Sequence, residues 1–171
     1  SYIKKISPKK LNLPSPREIG STFKENSIIK AKFFSEELNL ICISDDSGLK
    51  IDILSGAPGI YSSRWAGPNS NFDIAIQKVF DELFLKNQNW KQEKTISAQF
   101  VCCLTIYWPN GKYISETGFV KGKIVHEKKG ANGFGYDPIF IPNNYQKTFG
   151  EMKPNLKYKI DHRSNAFKKI K

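Results

Sequence analysis

Ile41-Cys-Ile-Ser-Asp-Asp-Ser-Gly48 is the stretch on which the reading of the chain turns. Leu40 to Ile43 is a short apolar run rich in β-branched residues and reads as a buried strand. It passes straight into Ser44, Asp45, Asp46, Ser47 and Gly48. Two adjacent carboxylates at the carboxyl end of a buried strand need water, cations or hydrogen-bond donors. In open α/β sheets, ligands bind in the crevice beyond the strand ends, so the pair reads as a metal-and-phosphate site. The competing reading is an Asp-Ser-Gly turn that merely ends the strand, since all three residue types favour turns. Stretches on either side decide between the two.

Upstream, Thr22 and Glu25 have the capping-box spacing, ahead of Ile28, Ile29, Phe33, Phe34 and Leu38. A helix follows, with Asn39 at its end. Glu25 therefore has a structural use whether or not it has another. Residues 1–20 are basic and Pro-containing and read as an extended approach, with a short strand at Tyr2–Ile6. Downstream, Leu49–Leu54 alternates as a strand, and Ser55–Tyr61 is rich in turn formers. Phe72–Leu85 has helical spacing, with Asn71 or Asp73 as its cap. Ala98–Trp108 is the longest β-type run, and Pro109-Asn-Gly111 is a hairpin turn. Lys112–Thr117 and Phe119–Val125 read as two strands, with bends at Gly118 and Gly122. A strand at Ile139–Ile141, an irregular segment Asn143–Met152 and a helix Ser164–Ile170 complete the pattern.

The 171 residues fit one domain with two lobes, and 39% hydrophobic residues suffice for a core. Lys+Arg 27 against Asp+Glu 16 gives +11, which favours polyanionic partners. The lysines are scattered, however, so much of this charge is solvated surface. Three cysteines without a C-x-x-C and only two histidines argue against zinc. Reduced, buried thiols of a cytoplasmic protein are the plain reading. No apolar segment is long enough to span a membrane.

Two further stretches carry chemistry. Gly133-Phe-Gly-Tyr-Asp-Pro138 combines glycines that let a backbone approach a ligand, aromatics that stack on a base, and a carboxylate that accepts from a ring N–H or a ribose hydroxyl. A loop whose aromatics simply plug the core is the competing reading. Lys157-Tyr-Lys-Ile-Asp-His-Arg163 gathers cations and a histidine ahead of a helix, with Arg as the fixed fork for carbonyl or phosphate oxygens. A solvated basic tail competes with it.

Together these stretches resemble the inosine triphosphate pyrophosphatase family, the dITP/XTP pyrophosphatases that remove non-standard purine nucleotides. The resemblance rests on Gly20-Ser-Thr-Phe-Lys-Glu-Asn-Ser-Ile-Ile-Lys-Ala31, Asp45-Asp-Ser-Gly-Leu49 and Gly56-Ala-Pro-Gly-Ile-Tyr-Ser-Ser-Arg-Trp-Ala-Gly67. Asn132-Gly-Phe-Gly-Tyr-Asp-Pro138 and His162-Arg163 extend it. Five such motifs in register are specific. The resemblance implies an elongated, two-lobed α/β fold around a long, twisted mixed sheet, with the active-site cleft between the lobes. It implies magnesium-dependent hydrolysis of ITP, dITP and XTP to the monophosphate and pyrophosphate, and a homodimer. By matched position, Asp46 is the catalytic carboxylate and a metal ligand, Glu25 a second metal ligand, and Asp45 a further candidate. Lys30, Ser47, Phe134, Gly135, Tyr136, Asp137, Lys157, His162 and Arg163 are the implied substrate contacts.

The residue types suit that chemistry. Magnesium takes one or two carboxylates plus phosphate oxygens and waters, and Lys and Arg stabilise charge on departing pyrophosphate. Hypoxanthine and xanthine carry an acceptor oxygen at C6 where adenine carries an amino donor, so donors from His162, Arg163 or the loop backbone select between them. Two departures from the family pattern stand out. Asp161 occupies the place of the family's Ser before His-Arg. The family's first strand, helix and Ser/Thr-x-Asn-x-x-Lys phosphate loop have no counterpart, which leads to the expectation of a few tens of additional N-terminal residues. The rival readings are a septum-associated nucleotide pyrophosphatase and a basic nucleic-acid-binding module. The second leaves Glu25, Asp45 and Asp46 unexplained, so no stable nucleic-acid partner is expected.

Overall fold

A computed structural model describes residues 6–93 and 95–170. The strand expected at Tyr2–Ile6 lies outside these residues save for Ile6, which is not in a strand. Thr22 is extended and accepts the Glu25 N–H on Oγ1 at 3.1 Å, which starts helix α1, Phe23–Leu38. Asn39, left-handed at φ 51°, ends it. The buried face of α1 is not the expected one. Asn26, Ser27, Ala31 and Ser35 are buried, whereas Ile28, Ile29, Phe33, Phe34 and Leu38 are half-buried. Small side chains let the helix lie close on the sheet, and their polar groups find partners there. Ser27 pairs with Thr105, Thr105 with Ser115 at 2.9 Å, and Ser44 Oγ donates to the Ser27 carbonyl at 2.7 Å.

Strand β1 runs unbroken over Cys42–Ile51, with Asp45–Gly48 in its middle. The expected strand end and turn at the carboxylates, and the separate strand from Leu49, are corrected by this register. Asp45 lies opposite Leu104, Asp46 opposite Cys103 and Gly48 opposite Val101 of strand β2, Ile96–Tyr107. The ladder is continuous, and each carboxylate meets a cation on its own face, so nothing forces the chain to turn. Glycine is required at position 48, where a Cβ would lie 2.3 Å from the Gly59 carbonyl oxygen. The run Leu40–Ile43 is not buried either: Ile41 and Ile43 are 58% and 64% exposed. Among the described residues β1 is an edge strand, and its start lies beyond the packed core.

Strand β3 is also one piece, Tyr113–Ile124, where two strands were expected. Its Gly118 is not a bend but a crossing point, described below. Strand β4, Phe140–Pro142, completes a sheet of order β1-β2-β3-β4. All pairings among the described residues are antiparallel; the parallel pairing of a mixed sheet is not among them. Asn71 caps helix α2, Phe72–Lys86, by accepting the Asp73 N–H at 3.0 Å. Its Ala75, Ile76, Val79 and Leu83 join Leu49, Ile51, Phe100, Phe140 and Phe149 in the core. Helix α3, Pro154–Ile160, lies where no helix was expected; its start has Pro but no side-chain cap. Helix α4 is His162–Phe167, earlier and shorter than the expected Ser164–Ile170. The result is the two-lobed α/β arrangement, with α1 on one face of β1 and β2 and with α2, α4 and the glycine loop on the other.

Candidate active site

Successive residues of a strand point to opposite faces, so β1 divides its two aspartates. Asp46 turns toward α1. Lys30 Nζ, from the second turn of α1, donates to Asp46 Oδ1 at 2.9 Å and to Glu18 at 2.6 Å. Buried Asn26 donates to Asp46 Oδ2 at 3.3 Å and accepts the Gly20 N–H at 2.8 Å, tying the 18–20 segment to the strand. Arg64 holds the same segment by donating to the Glu18 carbonyl at 2.6 Å. Burial pushes the Asp46 carboxyl above the usual carboxylate range, against the pull of Lys30. Burial also opposes the Lys30 charge, but its bonds to Glu18 and Asp46 outweigh this and raise its pKa.

Glu18, which the sequence reading did not single out, shares the Lys30 cation with Asp46. Its one signal was that it is the sole acid among residues 1–20. Glu25, expected as the second metal ligand, is engaged by Ser21 in this structure. It is exposed on the first turn of α1, and its Oε2 accepts from the Ser21 N–H at 2.7 Å and the Ser21 hydroxyl at 2.8 Å. Those bonds hold its carboxyl below the usual range. Among the described residues no cluster of three or more His, Cys, Asp or Glu is arranged for a metal. Two carboxylates that converge on one cation, as Glu18 and Asp46 do on Lys30, nevertheless suit magnesium, which takes its remaining oxygens from phosphate and water.

Asp45, the further metal candidate, faces the other way. Its Oδ2 accepts from Ser47 Oγ at 2.6 Å and from Arg163 Nε at 3.1 Å. Burial works against its charge, but the Arg163 guanidinium and the Ser47 hydroxyl hold its carboxyl below the usual range. Arg163 lies over the Phe134 ring, 5.1 Å from its centroid, and its Nη1 donates to His162 Nε2 at 3.2 Å. His162 stacks on Phe100 with centroids 4.9 Å apart and an interplanar angle of 10°. Burial, then the charges of Arg163 and Lys157, bring its pKa down to about 3, so the ring is neutral. A cavity of about 150 Å³ opens between Ser47, Gly48, Phe134, Gly135, His162 and Arg163. A larger cleft of about 620 Å³ beside Trp108 and Tyr113 contains no carboxylate or histidine.

The glycine loop is built around Asp137. Gly133 is left-handed at φ 75°, and a Cβ there would lie 2.0 Å from Asp137 Oδ2. That oxygen accepts the Phe134 N–H at 2.8 Å and Lys157 Nζ at 2.5 Å, with both charged groups buried. Tyr136 is in the core, its hydroxyl donating to the Ser62 carbonyl at 2.9 Å and its ring edge-on to Phe72. Of the two loop aromatics, Phe134 is the exposed one, at 59%, and Tyr136 is buried. The polar atoms of Tyr136, Asp137 and Lys157, expected as substrate contacts, are engaged with the protein and hold the loop in shape. Asp161 does not face the cavity as a free anion: it caps α4 by accepting the Ser164 N–H at 2.8 Å. Serine caps helices as well, so the departure at this position preserves the local structure. Cys102 and Cys103 are buried as expected, while Cys42 is half-buried; all three are free.

A sequence model of the Ham1 family matches residues 2–171. The chain is 42% identical over 165 residues to a dITP/XTP pyrophosphatase of Zymomonas mobilis, covering 96% of this chain and 77% of that one. A dITP/XTP pyrophosphatase of Caulobacter vibrioides is also 42% identical, over 166 residues, covering 97% and 83%. Among solved structures, a HAM1 protein from Coxiella burnetii superposes with a TM-score of 0.85 at 38% identity, covering 95% of this chain and 81% of that one.

Proposed function

The chain belongs to the Ham1 family, and from that premise we propose that it hydrolyses ITP, dITP and XTP to the monophosphate and pyrophosphate with magnesium. The relatives are nucleoside-triphosphate pyrophosphatases, and so is this chain. The observation that carries the finer reading is the division of β1. One face gathers acid and cation chemistry around Asp46, and the opposite face lines a cavity with Arg163, His162 and Phe134.

Glu18 and Asp46 would hold the magnesium, which supplies charge neutralisation of the triphosphate when bound. Asp46 takes the proton of the water that attacks the α-phosphorus, a task suited to a carboxylate whose pKa burial has raised. Lys30, already held between the two acids, stabilises charge on the phosphates. Phe134 stacks on the base while His162 and Arg163 read its C6 position. Asn26, Asp137 and Lys157 keep these groups in place. The activity fits a house-cleaning role in the cytoplasm, and the family reading extends to a homodimer.

The test is a panel of ITP, dITP, XTP, ATP and GTP with purified protein and magnesium, measuring pyrophosphate and orthophosphate separately. Pyrophosphate from the first three, well above that from ATP and GTP, is expected. Orthophosphate as the product, or equal turnover of ATP, overturns the reading.

A further inference from the structure

The stretch Gly56–Gly67 carries one of the five motifs, yet none of its residues takes part in the chemistry proposed above. Its backbone is pinned to β1. Buried Ser62 donates from Oγ to the Gly59 carbonyl at 2.7 Å and accepts the Leu49 N–H at 3.0 Å. The Ser62 carbonyl accepts the Tyr136 hydroxyl at 2.9 Å, so the same turn supports the glycine loop. Two residues on, Arg64 is exposed, with its guanidinium carbon 5.0 Å from the centre of the Tyr61 ring. From that support its Nη2 donates to the Glu18 carbonyl at 2.6 Å.

The segment that Arg64 grips is not held by packing. Its one apolar residue, Ile19, is 82% exposed. Hydrogen bonds must do the work instead. Arg64 takes the Glu18 carbonyl, and Asn26 accepts the Gly20 N–H at 2.8 Å. Fixing both sides of Ile19 fixes the backbone from which the Glu18 side chain sets out toward Lys30. We propose that Arg64 is a positioning residue of the acid cluster: by holding the Glu18 carbonyl, it keeps the Glu18 carboxylate within reach of the cation that Asp46 also holds. The turn that carries Arg64 thereby braces the acid cluster on one side and, through Ser62 and Tyr136, the glycine loop on the other. That the two acids take a divalent cation rests on the proposed function above; the grip of Arg64 on the segment does not.

The test turns on a sign. Removing the positive charge of Arg64 should, on electrostatics alone, tighten the binding of a cation by nearby acids. A positioning role demands the opposite. Manganese ion alone, without nucleotide, is titrated by calorimetry into the wild type, Glu18→Gln, Arg64→Ala and the double variant. Exchange of the Gly20 N–H is followed in parallel by NMR. Arg64 is exposed, so its substitution is compatible with folding. Glu18→Gln should weaken manganese binding. Arg64→Ala should weaken it about fivefold or more, the size of one net hydrogen bond, and should speed Gly20 exchange. In the double variant Arg64→Ala should add little to Glu18→Gln, because it acts through that side chain. Tighter or unchanged manganese binding in Arg64→Ala overturns the proposal, as does a double variant in which the two losses add in full. If Glu18→Gln leaves manganese binding unchanged, the metal reading of Glu18 fails. Faster Gly20 exchange in Arg64→Ala then shows that the brace stands without it, and unchanged exchange sinks both.

Discussion

Glu18 and Glu25 are both acids near the start of α1, yet only one shares a cation with Asp46. Glu25 reaches back to Ser21, while Glu18 reaches Lys30. Glu18→Gln should therefore raise the magnesium concentration needed for half-maximal turnover. Glu25→Gln should leave it unchanged, because Gln also closes the helix end. A magnesium titration of both variants decides the matter. His162 carries a pH consequence. Burial lowers its folded-state pKa to about 3, whereas an unfolded-chain histidine titrates near 6.5. Between those values the unfolded chain binds a proton that the folded one does not, so this residue's contribution to stability falls as pH drops from 6.5 toward 3. Urea midpoints should decline from pH 7 to pH 5, and His162→Asn should flatten that decline.

Helix α4 delivers His162 and Arg163 to the cavity, and β3 sets how close it comes. A Cβ on Gly118 would lie 2.1 Å from the Ala166 nitrogen and 2.3 Å from the His162 carbonyl oxygen. Both are backbone atoms, so Gly118→Ala must push the helix outward. The expected cost is about 1–3 kcal/mol of stability, together with a narrowed preference for ITP over ATP. Thermal unfolding and kcat/KM for the two nucleotides check this; a destabilised variant with an intact preference would show that α4 moves without moving the site. The elements show why some features were legible and others not. The caps of α1 and α2 are local, so Thr22, Asn39 and Asn71 could be read from their neighbours alone. The continuity of β1 through Asp45 and Asp46 depends on Lys30 and Arg163, which are distant in sequence and invisible to a local rule. Gly118 read as a bend because its actual reason, a helix crossing from residues 162–166, lies over forty positions away. The small polar face of α1 was missed because apolar spacing dominates the helical pattern, whereas hydroxyl ladders to Thr105 and Ser44 satisfy the face that is really buried.

At the scale of the molecule, the two-lobed α/β fold was legible through five motifs in register, and the residues gathered at β1 were nearly all named in advance. Their partition was not legible. Adjacent aspartates read as one site, but the pleat makes them two: Asp46 with Lys30, and Asp45 with Arg163. The cavity and the acid cluster then have one strand between them, which suits a nucleotide whose phosphates and base are handled on different faces of β1. The most direct test of this division is kcat/KM for ITP and ATP, measured side by side in Asp46→Asn and Arg163→Ala. Asp46→Asn should lower both by a similar factor, about 10²–10⁴ for a lost general base, and leave their ratio intact. Arg163→Ala should instead shrink the ratio, with the greater loss on ITP. A changed ratio in Asp46→Asn, or equal losses for both nucleotides in Arg163→Ala, would contradict it.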